Sequence, residues 1–321
     1  MQSVRLWLGK KYNFFYKPVH LFLVPCNKQL MEFTLKNYAC SLCKNDETKL
    51  LLNKQGFSIV KCNKCGFVYV NPRVHNEQLT EIYKHSYFQN KDYGYTGYEQ
   101  EKRLRVKNFE RWIKDAASYM PVGRNIQALD VGCAAGYCLD VMKEKGWVAE
   151  GLELDEEMCE SLYQRGDVVF RTALEDFTGT RKYNVITLFD VIEHIPGIDA
   201  AFSKLSSLLE PDGIVIMVTP DHKSFQRKIL KKKWFQYKPI EHIQYFDRES
   251  LQVFSQRNGL SMIYNTRCGQ YADAQFIVNR LGYYHFTFLS KIFDKIFSIL
   301  RLKNKFFYTD TGSLFVIFKK M

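Results

Sequence analysis

One stretch near the middle of the chain, residues 126–137, constrains the fold more than any other. It contains an apolar run, an aspartate at the end of that run and a turn of small residues, and a helical pattern follows. This order predicts a buried parallel strand, a tight loop and a helix N-terminus, which together form a ligand pocket at the carboxyl end of a sheet. Glycines at 132 and 136 allow the loop to turn sharply beside a ligand.

A second strand pattern, residues 147–153, ends at Glu153 about twenty residues beyond the loop, where a carboxylate can accept hydrogen bonds from ribose hydroxyls. The nucleoside could belong to a dinucleotide or to S-adenosylmethionine. A pyrophosphate requires the spacing G-x-G-x-x-G, but Ala134 and Tyr137 occupy the second and third glycine positions. S-adenosylmethionine carries a sulfonium and an ammonium that favour a carboxylate such as Asp130. The loop therefore favours S-adenosylmethionine.

Residues 129–136, Leu-Asp-Val-Gly-Cys-Ala-Ala-Gly, resemble the first motif of class I S-adenosylmethionine-dependent methyltransferases, whose usual form is L-D-V-G-C-G-T-G. Ala134 is a mild departure from that form. The resemblance implies that the first motif holds the methionine part, that Glu153 binds the ribose, and that the loop after the third strand recognises the adenine. The residues implied in cofactor binding are Asp130, Gly132, Cys133, Gly136, Glu153, Leu154, Leu174, Glu175 and Asp190.

Strand and helix patterns alternate through the second half of the chain, which predicts an α/β fold with helices on both faces of a parallel sheet. The predicted segments are 126–131, 136–146, 147–153, 156–165, 166–171, 184–190, 197–210 and 213–220. Asp247 is predicted to cap a helix that runs to Gly259. The resemblance implies that strands near 261–266 and 312–319 complete a Rossmann-like methyltransferase sheet, mostly parallel with an antiparallel edge strand.

Two C-x-x-C pairs, Cys40/Cys43 and Cys62/Cys65, are separated by residues 44–61. This spacing is typical of a four-cysteine zinc ribbon, in which four thiolates surround the metal. Because all four ligands are from the protein, we expect a structural site. The pairs and the following Gly-Phe-Val-Tyr-Val-Asn-Pro-Arg resemble the N-terminal zinc module of bacterial methyltransferases associated with sugars and cell-surface polysaccharides.

The segment 182–196 resembles the fourth strand of the methyltransferase family, which ends beside the cofactor sulfonium. It places Asp190, Glu193 and His194 on one strand-to-helix turn. A related E-x-x-E-H motif in quinone-biosynthesis O-methyltransferases is associated with a divalent cation, so a cation at these three residues is an alternative to an acid/base role for His194.

The segment 239–246, Pro-Ile-Glu-His-Ile-Gln-Tyr-Phe, resembles P-x-E-H-x-x-Y-F of the same methyltransferase group. An imidazole can remove a proton from a hydroxyl or an activated carbon as the methyl group arrives, and a neighbouring glutamate can orient it. We therefore predict His242 as the catalytic base, with Glu241 beside it and His194 as the second candidate.

Four regions follow from these patterns: a basic and aromatic extension at 1–35, the zinc ribbon at 36–75, a helical lid or linker at 76–125 and the methyltransferase domain at 126–321. Tyr87, Tyr93 and Tyr95 of the linker are candidates for lining the pocket. A basic amphipathic helix at 288–301 is expected to pack on the domain, with a peripheral membrane contact as the alternative.

The formal charge of +12 indicates an anionic partner without identifying it. The nine cysteines indicate a reducing compartment, and no uncharged apolar run reaches the roughly 18 residues needed to span a bilayer, so a cytoplasmic location is expected. The predicted function is methyl transfer from S-adenosylmethionine to a small-molecule or glycan acceptor, with O-methylation of a sugar or polysaccharide precursor favoured. The alternatives are RNA methylation, sugar C-methylation, a nicotinamide-dependent oxidoreductase and an inactive interaction protein. Nucleic acid is not the favoured partner.

Overall fold

Strands and helices alternate along most of the chain. The computed structural model describes residues 21–26, 29–79, 102–121, 125–283, 286–302 and 305–321, and of residues 21–33, 280 and 283 it describes the backbone alone. The strands are β1 Leu21–Cys26, β2 Gln29–Lys36, β3 Thr48–Lys54, β4 Phe57–Cys62, β5 Val68–Val70, β6 Arg73–Val74, β7 Gln127–Val131, β8 Val148–Glu153, β9 Val168–Arg171, β10 Tyr183–Phe189, β11 Leu209–Pro220, β12 Gln244–Tyr245, β13 Leu260–Asp273 and β14 Phe306–Lys320. The helices are α1 Lys102–Asp115, α2 Tyr137–Glu144, α3 Glu156–Gln164, α4 Ile198–Leu208, α5 Phe225–Leu230, α6 Arg248–Arg257, α7 Ala274–Tyr283 and α8 Thr287–Ile299.

The main sheet has seven strands in the order β13-β14-β11-β10-β7-β8-β9. The pairings from β9 to β11 are parallel, and β14 runs antiparallel to both of its neighbours. The predicted Rossmann-like methyltransferase sheet, mostly parallel with an antiparallel strand near its edge, is confirmed. The predicted segments of the alternating pattern are present, with ends shifted by a few residues.

Both faces of the sheet are covered because the strands carry apolar side chains at successive positions. In β11, Val215 and Met217 belong to the core under α4 and α6, whereas Ile214, Ile216 and Val218 belong to the core under α1, α2 and α3. Successive side chains of a strand point to opposite faces, so an unbroken apolar run predicts a strand that is buried on both sides.

Helix N-termini at the carboxyl edge of the sheet are capped by acidic side chains. Asp155 accepts a hydrogen bond from the Met158 N–H at 3.0 Å at the start of α3. Asp247 accepts from the Ser250 N–H at 2.8 Å at the start of α6, and the Ser250 side chain accepts in return from the Asp247 N–H. The cap predicted at Asp247 is therefore confirmed.

The cysteine pairs lie in a second sheet of four strands, in the order β12-β5-β4-β3. Strand β12 comes from much later in the chain than β5 and pairs antiparallel with it. Phe67, which follows the second cysteine pair, packs against Phe246 and Phe254 with ring centroids 5.6 Å from each. The cysteine-bearing segment thus shares a hydrophobic core with the main domain.

The hairpin of β13 and β14 is much longer than the sequence predicts. The predicted strands covered 261–266 and 312–319, whereas pairing continues to Asp273 and back from Phe306. The added length contains polar residues such as Gln270, Thr309 and Asp310, which do not alternate cleanly with apolar ones. This extension projects beyond the sheet and reaches the cavity described below.

Part of the N-terminal extension forms a hairpin of β1 and β2, and β2 pairs with β6 in a three-stranded sheet. The sequence showed no clear periodicity there. Within the ranges that the structure describes, no helix is both long and apolar enough to cross a lipid bilayer.

Candidate active site

A cavity of about 870 Å³ opens at the carboxyl ends of the parallel strands. This is the edge at which open α/β sheets bind ligands, and the volume falls within the usual range for a small-molecule site. Its lining includes predicted cofactor residues from four strand ends: Asp130, Gly132, Cys133, Glu153, Leu154, Leu174, Glu175 and Asp190. The predicted cofactor residues therefore lie together around one cavity, apart from Gly136, which is not among the described residues of its lining.

The loop between β7 and α2 needs glycine at two positions for conformation and for space. Gly132 has φ 72°, and a methyl group there would lie 2.7 Å from Val191 Cγ2. Gly136 has φ 75°, and a methyl group there would lie 2.5 Å from Leu162 Cδ2. Since Gly136 is not among the described residues that line the cavity, its contribution is to let the loop pack onto α3.

Ala134 stands where the resembling motif has glycine, and its φ of 47° lies in the left-handed region. A side chain costs about 1–2 kcal/mol in this conformation. The loop keeps the conformation that the motif requires, and the departure from glycine appears as local backbone strain beside the cavity.

Glu153, at the end of the neighbouring strand β8, is hydrogen-bonded to the loop between β7 and α2. Its Oε2 accepts a hydrogen bond from the Ala134 N–H at 2.8 Å, and its Oε1 accepts from Leu154 N–H at 2.7 Å and Asp155 N–H at 2.9 Å. Burial raises the pKa of Glu153 above its usual value, while the three N–H donors partly offset that effect. The carboxylate therefore holds the loop in place and still faces the cavity, where it has lone pairs for a ligand hydroxyl.

Asp130, at the end of β7, is buried beneath the loop. Its Oδ1 accepts a hydrogen bond from Thr187 Oγ1 at 2.5 Å. Burial raises the pKa of Asp130 to about 7, with the Thr187 hydroxyl acting in the opposite direction. A cationic ligand in the cavity would favour the ionised form of this carboxyl group.

Asp190 ends β10 with a φ of 56°, so its backbone is in the left-handed region. Its Oδ2 accepts from Gln270 Nε2 at 3.3 Å, and its buried Oδ1 has no hydrogen-bond partner within the described ranges. Burial raises the pKa of Asp190 to about 6, and the cations of Arg105 and Lys238 lower it in part. Strained backbone and unused polar capacity are both features of functional positions.

The two Glu-His segments lie against each other. His194 Nδ1 lies 2.9 Å from the backbone oxygen of Glu241, and the Ile243 N–H donates to the Glu193 oxygen at 3.1 Å. The Ile243 carbonyl accepts from the Val70 N–H at 2.9 Å, so the second segment sits between the first and the cysteine-bearing sheet. The imidazole rings of His194 and His242 meet edge to face with centroids 4.8 Å apart.

The two histidines differ in their access to the cavity. His194 lines it, together with Lys238. His242 is only 1% exposed, its Nδ1 lies 2.9 Å from the Gln236 oxygen, and its Nε2 has no partner among the residues described. In the described part of the chain, neither His242 nor Glu241 belongs to the cavity wall. The predicted base His242 thus lies behind the wall, and the second candidate, His194, lies on it.

Burial shifts both imidazoles toward their neutral form. It lowers the pKa of His194 to about 3, with Lys238 acting in the same direction. It also lowers the pKa of His242, with His194 and Lys238 as further causes. Both rings are therefore neutral at pH 7, and a neutral ring can accept a proton.

The sequence model of a family described as a methyltransferase domain matches residues 102–265, just over half of the chain. The chain belongs to this family. Ubiquinone biosynthesis O-methyltransferase of Actinobacillus pleuropneumoniae is 28% identical over 105 residues, which cover 29% of this chain and 45% of that protein. The protein of the same name from Bartonella tribocorum is 20% identical over 173 residues, covering 50% of this chain and 70% of that protein. This chain spans less than half the length of the former relative.

Solved methyltransferase structures resemble the chain more distantly. An S-adenosylmethionine-dependent methyltransferase from Clostridium acetobutylicum superposes with a TM-score of 0.47 at 13% identity, covering 70% of this chain and 97% of the other. A protein described as a sarcosine dimethylglycine methyltransferase, from Galdieria sulphuraria, gives a TM-score of 0.48 at 13% identity, covering 68% and 87%.

In this methyltransferase domain, Glu193, His194 and His242 could together hold a cation, since their ligand atoms lie within 4.8 Å of one another. The cation alternative raised by the sequence named Asp190, Glu193 and His194. The structure brings His242 into this cluster, a residue that is 48 positions from His194 and that spacing alone cannot connect to it.

The four cysteines also converge. The sulfurs of Cys40 and Cys65 are 3.5 Å apart, as are those of Cys43 and Cys62, and all four lie within 4.8 Å of one another. The predicted grouping of the two pairs is present.

Several cavity residues of the methyltransferase domain were not anticipated. Helix α1 contributes Arg105, Asn108 and Trp112, and the extended hairpin contributes Gln270 and Tyr271. The helical lid or linker predicted at 76–125 includes α1, but the sequence did not indicate which side chains of this helix reach the cavity. The predicted pocket tyrosines Tyr87, Tyr93 and Tyr95 lie outside the described residues, as does most of the predicted linker between 80 and 101.

Proposed function

We propose that the protein transfers the methyl group of S-adenosylmethionine to a hydroxyl oxygen of a small-molecule or glycan acceptor. The observation that carries the proposal is the hydrogen bond from the Ala134 N–H to the Glu153 carboxylate, two residues that both line the cavity. This hydrogen bond holds a loop that lacks the G-x-G-x-x-G spacing of pyrophosphate-binding loops. The carboxylates of Asp130 and Glu153 both line the cavity that the cofactor would occupy. Membership of the methyltransferase-domain family supports the same cofactor.

S-adenosylmethionine supplies an activated methyl group when it is bound. Its transfer would form a bond between the acceptor oxygen and the methyl carbon, break the carbon–sulfur bond and leave that electron pair on sulfur. The chain itself has two tasks, alignment of the acceptor and removal of the hydroxyl proton. His194 is placed for the second task because it lines the cavity and its ring is neutral, and the burial that lowers its pKa also makes it a weaker base than a solvent-exposed histidine.

His242 and Glu241 act from behind His194 in this scheme. The Glu241 carbonyl lies 2.9 Å from His194 Nδ1 and orients the ring, and the Glu241 carboxylate accepts from Lys238 Nζ at 3.2 Å. The prediction that His242 itself takes the proton stays a prediction, and the variants described in the Discussion distinguish the two histidines.

The acceptor proposed from the sequence is a sugar or polysaccharide precursor. The O-methyltransferase names of the curated relatives support oxygen as the acceptor atom. Apolar residues of the cavity lining, among them Leu230, Phe276 and Phe286, favour an acceptor with an apolar portion as well as a hydroxyl.

Calorimetric titration with S-adenosylhomocysteine and, separately, NAD tests the cofactor. We expect micromolar binding of S-adenosylhomocysteine and none of NAD. Transfer of labelled methyl from S-adenosylmethionine is then screened against hydroxylated sugars, lipid-linked sugars, phenols and RNA. Labelling of RNA alone would replace this proposal with the RNA alternative, and failure of well-folded protein to bind S-adenosylhomocysteine would overturn it.

We also propose that Cys40, Cys43, Cys62 and Cys65 hold a structural zinc ion. Zinc–sulfur bonds of about 2.3 Å in a tetrahedron place the sulfurs slightly under 4 Å apart, which the observed spacing accommodates. Elemental analysis of the purified full chain should give one zinc per chain. Cys65→Ser should lower that content, whereas Cys268→Ser, a buried cysteine outside the cluster, should not. Equal zinc content in both variants would contradict the site.

A further inference from the structure

Helix α8 packs on α7 and β14 but leaves large apolar side chains partly or mostly exposed to solvent. Phe297 is buried and stacks on Phe307 of β14, with ring centroids 5.7 Å apart. On the opposite side of the helix, Phe288 is 75% exposed and Ile299 is 70% exposed. The exposed large apolar residues of this helix and its end are Phe288, Leu289, Ile292, Phe293, Ile296, Ile299 and Leu300. A surface helix normally buries such a stripe.

A second apolar and basic segment lies nearby. Helix α5 exposes Phe225 and Ile229 and is followed by three exposed lysines, Lys231–Lys233. It contacts the same strand as α8, because Gln226 Nε2 donates to the Asp310 oxygen at 2.9 Å. The end of α5 and the start of α8 also border the cavity, through Leu230 and Phe286.

The charged side chains at the margin of this surface are mostly cationic, and Asp294 is the one acidic residue of α8. Lys291 and Lys295 follow Phe288 by three and seven positions, so they lie on the same side of α8 as the most exposed apolar residues. Lys231–Lys233 add positive charge beyond α5. An apolar centre with a cationic margin is complementary to the interface of a bilayer that contains anionic lipids. At about 20 Å, a helix of 13 residues is too short to cross the bilayer and long enough to lie in its surface.

We infer that helix α8, with helix α5 beside it, docks on an anionic lipid surface and places the mouth of the cavity at that surface. Phe288 and Ile299 enter the acyl boundary, and the lysines contact the headgroups. The inference does not depend on methyl transfer, so it can fail or hold independently of the proposed function. If both hold, an acceptor with a lipid portion reaches the cavity from the membrane.

The full chain is mixed with vesicles of phosphatidylcholine alone or with about one third phosphatidylglycerol, and binding is measured by flotation. We expect binding to the anionic vesicles to exceed that to neutral vesicles by at least about tenfold at low salt, and to weaken as salt rises. The double variant Phe288→Ser/Ile299→Ser should lose about tenfold or more. Lys291→Gln/Lys295→Gln should lose about fivefold for each lysine.

The matched control is Val148→Ser/Val168→Ser, which removes two exposed apolar side chains at the opposite edge of the sheet. It should bind vesicles as the unaltered chain does. Circular dichroism and S-adenosylhomocysteine binding check the fold of each variant.

Absence of vesicle binding, or a loss in Val148→Ser/Val168→Ser equal to that in Phe288→Ser/Ile299→Ser, would overturn the inference. Sedimentation of the unaltered chain as a dimer that Phe288→Ser/Ile299→Ser converts to a monomer, without any vesicle binding, would assign the surface to a second copy of the chain instead.

Discussion

Glu153 and Glu193 are both buried glutamates beside the carboxyl ends of the strands, but their surroundings differ. Glu153 receives three backbone N–H groups, all from residues within about twenty positions of it. Glu193 receives one hydroxyl, from Thr219 at 2.9 Å, and its Oε1 has no partner in the described part of the chain. Burial raises the pKa of both side chains.

The difference separates a part of the site in which the carboxylate is fully held by backbone hydrogen bonds from a part in which buried polar atoms have no partner among the described residues. The loop between β7 and α2 and the Glu153 carboxylate that holds it belong to one continuous segment, and that carboxylate already accepts three hydrogen bonds from the backbone. The Glu-His cluster is assembled from distant segments, and it retains polar atoms such as His242 Nε2 without a partner among the described residues. Unsatisfied buried groups are costly, so the cluster is where a proton, a cation or a substrate group has most to contribute.

The largest expected effect on activity is at the Glu-His cluster. His194→Ala should lower kcat by about a hundredfold to ten-thousandfold, because it removes the imidazole that lines the cavity. The affinity for S-adenosylhomocysteine should change by less than about threefold, a margin below 1 kcal/mol. Steady-state kinetics with the acceptor from the methyl-uptake screen, together with calorimetry, measure both quantities.

His242→Asn is the matched variant. Its amide can still donate to the Gln236 oxygen, so less than a tenfold loss of kcat is expected. Because the buried side chain becomes smaller, the free energy of unfolding should fall by about 1–3 kcal/mol. A loss of kcat as large as that of His194→Ala, at unchanged stability, would transfer the role of base to His242.

At the loop between β7 and α2, Glu153→Ala should weaken S-adenosylhomocysteine binding by about a hundredfold. The substitution removes a carboxylate that faces the ligand and also releases the Ala134 N–H, and bonds to a charged group contribute about 1.5–3 kcal/mol each. Calorimetry provides the measurement. Glu157→Ala, at an exposed acid in the first turn of α3, should leave binding unchanged. Equal effects of the two substitutions would contradict a specific role for Glu153.

A smaller effect concerns Asp130. Its pKa of about 7 in the folded protein lies above the usual value for aspartate, so the folded state retains its proton to a higher pH than the unfolded chain does. Its contribution to stability is therefore complete below the usual pKa and is lost as the pH rises through about 7. Ionisation in the same range should strengthen binding of the cationic S-adenosylmethionine, by about tenfold between pH 6 and pH 8.

Asp130→Asn separates this effect from those of Asp190 and Glu153, whose pKa values are also raised. Thermal unfolding and calorimetry across this pH range should show shallower slopes in the variant. Identical slopes for the variant and the unaltered chain would show that Asp130 does not titrate there.

The smallest effect is on stability alone. Ala134→Gly should raise the free energy of unfolding by about 1 kcal/mol, because glycine adopts a φ of 47° without steric strain. Ala135→Gly, at a neighbouring residue without a positive φ, should instead lower it by about 0.5–1 kcal/mol. Urea denaturation measures both. A loss of stability in Ala134→Gly would show that the loop does not store strain at this position.

The sequence by itself determined the parts of the protein that depend on neighbouring residues. Periodicity located the strands and helices of the main sheet, Asp247 marked a helix start, and the loop with Glu153 indicated where the cavity lies. Each of these is set by turn conformation, capping or burial pattern within some twenty residues. The same reasoning did not find the full length of β13 and β14, because polar residues such as Gln270 and Thr309 interrupt the alternation.

Only the tertiary structure decided how distant segments meet. His194 and His242 have the same sequence context, a glutamate before each, and the sequence ranked His242 first. The pairing of β12 with β5 and the bonds of Ile243 to Glu193 and Val70 place His242 behind the wall and leave His194 on the cavity. The direction in which α8 turns its apolar stripe was likewise decided by packing: Phe297 alone among its described large apolar side chains is buried. Such choices depend on long-range contacts, which a local pattern does not encode.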